Sequence, residues 1–133
     1  MRIGELAAAS GLTTKTIRFY EQVGLLAPPP RTPAGYRDYP EAALPRLRFI
    51  RTAQAAGLTL AEIAGILAIR DSGESPCTHV TALIHTHLAD IRQRIRELRA
   101  AQAELETLAH RAAALDPADC TDAGAVCRIL ATT

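Results

Sequence analysis

Between residues 84 and 112 apolar side chains return in steps of four and three: Ile84, Leu88, Ile91, Ile95, Leu98, then Gln102, Leu105, Ala109 and Ala112. That spacing is a heptad repeat, the pattern of a helix that buries a narrow seam against a second helix. Arg92, Arg94, Arg96, Glu97, Arg99, Glu104 and Glu106 lie off the seam. Residues 1–70 offer too little apolar surface to cover a helix this long, so the repeat predicts pairing of two chains. Gln102 on the seam costs stability and can fix register.

The cysteines bracket this helix. Cys77 precedes it, while Cys120 and Cys127 follow it, and no cysteine occurs earlier in the 133 residues. A helix over 78–116 rises about 1.5 Å per residue, which sets its ends about 58 Å apart. Cys77 therefore cannot meet Cys120 and Cys127 within one chain. The three can meet between two chains whose helices run antiparallel, as a thiolate metal site shared across a dimer. A reduced, cytosolic setting fits thiols used for metal or redox chemistry rather than structural disulfides.

The remainder reads as short helices separated by breakers. Residues 2–10 form a helix with Ile3, Leu6 and Ala7 on one face, and Gly11-Leu12 turns the chain. Thr13 or Thr14 caps a second helix to about Gln22, with Ile17 and Tyr20 inward. Two short helices around a tight glycine turn make a helix-turn-helix pattern. Pro28-Pro29-Pro30 ends any helix. Residues 31–39, Arg31-Thr32-Pro33-Ala34-Gly35-Tyr36-Arg37-Asp38-Tyr39, predict a small β-hairpin wing. Pro40 and Glu41 open a third helix to about Ala56, with Leu44, Leu47, Ile50 and Ala53 buried. Thr59-Leu60-Ala61-Glu62 is a capping box for a fourth helix to about Arg70, with Ile63, Ile66 and Leu67 inside. Asp116-Pro117 ends the long helix.

The net charge of +1 hides an asymmetry. Residues 1–52 hold eight basic side chains against four acids, a net of +4, which suits a phosphate-binding surface. Glu5 and the lack of an apolar segment near the start argue against a signal peptide, and no stretch approaches the ~20 apolar residues of a membrane span. No nucleophile–base pair or phosphate loop points to an enzyme.

Ile3-Gly4-Glu5-Leu6-Ala7, Thr16-Ile17-Arg18-Phe19-Tyr20-Glu21 with Gly24-Leu25-Leu26, Gly35-Tyr36-Arg37-Asp38-Tyr39, Leu47-Arg48-Phe49-Ile50 and Gly57-Leu58-Thr59-Leu60-Ala61-Glu62-Ile63 together resemble the MerR family of transcription regulators. The resemblance runs over essentially the whole chain. It implies a mainly α fold: a winged helix-turn-helix DNA-binding domain over 1–70, a connecting loop over 71–77, an antiparallel coiled-coil dimerisation helix over 78–116, and a metal-binding loop with the C-terminus over 117–133. It also implies a cytoplasmic homodimer on double-stranded promoter DNA, which bends and untwists an overlong promoter spacer when an effector binds so that RNA polymerase engages.

Thr14, Lys15 and Arg18 then stand at the start of the recognition helix. Arg18 either reads a guanine or holds a phosphate. Tyr20 is either a packing residue or a phosphate contact. Arg31, Tyr36 and Arg37 on the wing suit phosphate or minor-groove contacts. Cys77 at the start of the dimer helix resembles sensors of divalent soft metals, since sensors of monovalent copper or gold typically carry Ser there. The implied site is Cys77 of one subunit with Cys120 and Cys127 of the other, taking Zn, Cd, Pb or Hg. Three sulfurs suit Hg or Pb, whereas Cd and Zn prefer a fourth ligand, for which His79, Asp119 and Asp122 are candidates. His85 and His87 are either an auxiliary metal position or seam-edge packing, and His110 is structural near the helix end. Drug-binding members usually have a larger C-terminal domain than the six residues that follow Cys127 here. The alternative reading keeps the DNA-binding half and makes Cys120 and Cys127 a thiol-redox switch.

Overall fold

A computed structural model describes residues 1–120, 124 and 126–131, without the side chain of Asp119. Among the described residues five α-helices run in chain order: α1 (Ile3–Ser10), α2 (Thr14–Gln22), α3 (Ala43–Ala55), α4 (Leu60–Asp71) and α5 (Cys77–Ala114). A 3-10 turn, Pro117–Asp119, follows. The chain divides into two compact units, the first ending at His87 and the second beginning at Leu88.

In the first unit the helix starts follow local chemistry. Thr13 caps α2, its Oγ1 accepting the Thr16 amide at 3.1 Å. The capping box of α4 forms in both directions. Thr59 Oγ1 accepts the Glu62 amide at 3.1 Å, and Glu62 Oε1 accepts the Thr59 amide at 2.9 Å. Gly11, in the turn between α1 and α2, has φ 72°. A Cβ there would also run into the Arg51 guanidinium, whose Nη1 donates to the Ser10 carbonyl at 3.1 Å.

These helices bury one core. Leu6, Ile17, Leu47, Ile50 and Ile63 lose all solvent contact, and Tyr39 and Ile66 nearly all. Arg46 of α3 ties the margins together. Its Nε donates to the Leu25 carbonyl at 2.7 Å, and its two Nη atoms reach Asp71 at 2.8 and 3.1 Å.

Two elements differ from the sequence expectation. The wing is not a full hairpin: an isolated antiparallel bridge pairs Arg31 with Arg37. Around it Thr32 donates to the Tyr36 carbonyl at 2.7 Å, Gly35 to Thr32 at 2.8 Å and Asp38 to Pro30 at 2.9 Å. Prolines 28–30 and Pro33 carry no amide hydrogen, so the ladder has few donors with which to lengthen. The third helix begins at Ala43 rather than Pro40, because residues 40–43 close a four-residue turn, Ala43 donating to the Pro40 carbonyl at 3.0 Å.

Helix α5 has 38 residues, so its length is about 57 Å. Val80 and Leu83, in its first two turns, pack against the core of the first unit. None of its residues is fully buried in the single chain. Ile84, Ile91, Ile95, Leu98 and Leu105 are all exposed. Among the described residues no helix is long and apolar enough to cross a membrane.

Candidate nucleic-acid interface and thiol sites

Four arginines from three parts of the first unit line one recess of about 160 Å³. They are Arg2 ahead of α1, Arg18 on α2, and Arg31 and Arg37 on the wing, with Gly35 and Tyr36 between them. The wing holds its own members in place. Arg31 Nη1 donates to the Gly35 carbonyl at 2.9 Å, and the Arg2 guanidinium lies 4.4 Å from the centre of the Tyr36 ring. Four guanidiniums beside one exposed aromatic ring form a surface for a polyanion, and the forked donors suit phosphate oxygens. Lys15 and Arg18 are exposed on the same helix, and Thr14 is half-exposed. Thr13 supplies the cap, which leaves the Thr14 hydroxyl uncommitted to the helix end.

Tyr20 stands elsewhere. It is 3% exposed and its hydroxyl bonds Gln54 of α3, while burial pushes its pKa up. The structure makes it a packing residue that joins α2 to α3. Arg2, by contrast, was not singled out in the sequence. Its place follows from a backbone pairing across 38 residues: Tyr39 donates to the Met1 carbonyl at 2.7 Å, and the Met1 amine donates to the Tyr39 carbonyl at 2.8 Å. That stitch lays the start of the chain along the base of the wing, and no local signal announces it.

All three cysteines are free thiols. Cys77, the first residue of α5, is exposed and borders an apolar groove with Phe49, Ile66, Leu67 and Pro76. Cys120 is also exposed and lines a recess with Ala112, Leu115, Pro117, Arg128 and Ile129; Cys127 is half-buried. Arg111 reaches from α5 to the segment after Cys127, its Nη1 donating to the carbonyls of Ile129 at 2.9 Å and Ala131 at 3.3 Å. Val126, beside Cys127, has φ 62°, a conformation rare for a β-branched residue.

Among the described residues no group of three His, Cys, Asp or Glu side chains gathers within the single chain. The donor set itself suits a soft metal, as three unpaired thiols offer soft sulfur ligands. His79 is exposed and lies across Gly65 of α4. Asp122 lies outside the described residues, as does the side chain of Asp119. His87 has a partner that sequence spacing did not suggest. Its Nε2 sits 2.8 and 3.0 Å from the two carboxylate oxygens of Glu62, the same carboxylate that closes the α4 capping box. Those bonds hold the Glu62 carboxyl below the usual carboxylate range, the Thr59 amide contributing most. His87 is thus neither seam packing nor a free ligand, but a tie between α4 and α5.

Comparison with known proteins decides what kind of molecule carries these features. Residues 1–68 match the MerR HTH family regulatory protein description, and residues 44–108 match that of MerR, DNA binding. The chain belongs to the MerR family. MerR proteins are DNA-binding transcription regulators rather than enzymes, and several relatives of this chain are named for heavy metals. A probable heavy metal-dependent transcriptional regulator from Haemophilus influenzae is 42% identical over 99 residues, which cover 74% of this chain and 77% of that one. A mercuric resistance operon regulatory protein from Bacillus cereus is 38% identical over 110 residues, covering 83% of each. Among solved structures, the regulator PbrR691 from Ralstonia metallidurans CH34 in complex with lead(II) is 44% identical, with a TM-score of 0.71 over 83% of this chain and 85% of that chain. This MerR protein therefore has a mainly helical fold and the DNA-binding domain of a transcription regulator.

Proposed function

We propose that the protein is a cytoplasmic homodimer that sits on double-stranded promoter DNA and activates transcription when a divalent soft metal binds. The metal is Zn, Cd, Pb or Hg. It is held by Cys77 of one subunit with the partner subunit's Cys120 and the partner subunit's Cys127. The carrying observation is the placement of the free thiols: one starts a 38-residue helix and two follow its end, and that helix exposes Ile84, Ile91, Ile95, Leu98 and Leu105 of its apolar seam in the single chain.

The seam supports a particular register. In an antiparallel pair, facing residue numbers sum to a constant, and setting Cys77 opposite the middle of the 120–127 loop makes that sum about 200. Leu88 then faces the partner subunit's Ala112, Ile91 the partner subunit's Ala109, Ile95 the partner subunit's Leu105, and Leu98 the partner subunit's Gln102. Large side chains thus meet small ones toward the ends, and the bulkier contacts lie near the two-fold axis.

When bound, the metal supplies a cross-link between thiolates of the two chains. The chain's own residues do the rest. Arg111 holds the segment after Cys127 against α5, so a shift of the cysteine loop is passed to the helix. Val80, Leu83 and His87 join the start of α5 to the DNA-binding unit. Arg2, Arg18, Arg31, Arg37, Tyr36, Thr14 and Lys15 grip each half-site. Two such grips can hold DNA bent or untwisted for RNA polymerase, at a deformation cost of roughly 1–6 kcal/mol that the contacts offset.

A Cys77→Ser variant tests this reading in a promoter transcription assay with Zn, Cd, Pb and Hg added in turn. The expected result is loss of metal induction with DNA binding retained. Normal induction by the variant would refute the shared site, and induction of the wild-type protein by oxidants alone would favour a thiol-redox switch instead.

A further inference from the structure

An acid stands behind the arginine recess, against Arg37, and its position runs against simple electrostatics. Glu21, in the last turn of α2, is only 15% exposed. Its Oε2 accepts the Tyr39 hydroxyl at 2.9 Å and lies 3.4 Å from Arg37 Nε. Tyr39 is 1% exposed, and its pKa is pushed up to about 12 by burial and by Glu21. Arg37 Nε is itself buried and lacks a well-aligned acceptor, so the nearby carboxylate is what balances its charge there. The side chain as a whole is 30% exposed and lines the recess with Arg2, Arg18 and Arg31. With Nε turned inward, the terminal nitrogens are the part of Arg37 left to face a ligand.

We propose that Glu21 is a positioning residue for DNA binding, holding Arg37 by its Nε and the base of the wing by Tyr39, so that the Arg37 fork is aimed at a backbone phosphate. This rests on the reading of the recess as a DNA-backbone grip. The carboxylate lies among cations that would bind phosphate more strongly without it, if charge alone mattered. Its cost in attraction is offset by the fixed geometry of a bidentate donor. Two residues that meet only through the fold, Glu21 on a helix and Arg37 on a nearly ladderless wing, therefore act as one unit.

The two effects predict opposite signs for Glu21→Gln. Removing a negative charge raises the net positive charge and by itself tightens binding. Losing the aim of Arg37 weakens it. The experiment titrates the intact, metal-free protein against a 30-bp duplex selected by the wild type from a randomised pool, at several salt concentrations. E21Q is expected to bind about tenfold more weakly. The slope of log affinity against log salt should also fall by about 0.9 per half-site, the value of one lost phosphate contact. On an Arg37→Ala background, E21Q should add almost nothing. Glu21→Asp, which keeps the charge with a shorter reach, should show the same direction with a smaller loss, and serves if E21Q does not fold. Binding by E21Q that is equal or tighter, an unchanged salt slope, or a full additional loss on the R37A background would each overturn the proposal. If instead R37A itself binds as the wild type does, the recess is not the DNA grip and the underlying reading fails.

Discussion

Replacing Leu98 by Ala should weaken the dimer by about two orders of magnitude. Leu98 is 69% exposed in the single chain, the highest value among the large apolar residues of the seam. Alanine removes three carbons, each worth about 0.8 kcal/mol when fully buried. Scaled by the 69% that pairing can cover, the loss is about 1.7 kcal/mol per copy. In the proposed antiparallel dimer each substitution is present in both copies and counts twice, giving about 3.3 kcal/mol per dimer. At 1.4 kcal/mol per tenfold, the dissociation constant should rise by roughly 200-fold. Sedimentation velocity over a dilution series, with Glu97→Ala as an off-seam control, measures it. A dissociation constant within threefold of the wild type, or a wild type that stays monomeric at every concentration, would refute the assignment of this face to a second copy.

Three further outcomes follow from the first unit and its edges. Gly11→Ala should destabilise the protein by at least about 1 kcal/mol in chemical denaturation, since it meets both a positive φ and the Arg51 guanidinium; equal stability would show that the turn relaxes freely. Glu62 and Asp71 both have lowered carboxyl pKa values, Glu62 chiefly through the Thr59 amide and Asp71 through its hydrogen bonds with Arg46. Their contribution is complete above the ordinary carboxylate range and disappears as pH falls through the lowered values, so a Glu62→Gln/Asp71→Asn variant should lose less stability between about pH 5 and pH 3 than the wild type. Tyr39 has the opposite sign: its raised pKa makes stability decline as pH climbs from about 10 to about 12, and Tyr39→Phe should flatten that limb in a thermal melt series.

Legibility in the sequence tracked the range of the interactions. Helix caps and periodic faces are local, and they read correctly: Thr13 caps α2, the Thr59–Glu62 box forms, and Ile17, Leu47, Ile50, Ile63, Ile66 and Leu67 lie in the core. Tyr20 was ambiguous because an aromatic phenol suits both a core and a phosphate, and only its bond to Gln54, 34 residues away, decides for the core. Arg2 lines the recess and Glu21 reaches its Arg37 through the Met1–Tyr39 and Tyr39–Glu21 bonds, which close loops of 38 and 18 residues. His87 finds Glu62 across 25 residues. In each case the decisive partner lies beyond the reach of any periodic pattern. The wing closes as the turn residues of 31–39 predict but stays at one bridge, because its prolines withhold the donors a longer ladder needs.

The carboxylate of Glu62 answers to two helices at once, through the Thr59 amide of α4 and the imidazole of His87 on α5. A small roll of α5 that carries His87 away would leave the first turn of α4 with its own box and nothing more. A change of protonation or a substitution at this one side chain would loosen the fastening and fray the helix start together. The two events have a common origin, so they should show as a single step in hydrogen exchange, with the amides at 59–62 and those near 87 gaining exchange at the same rate.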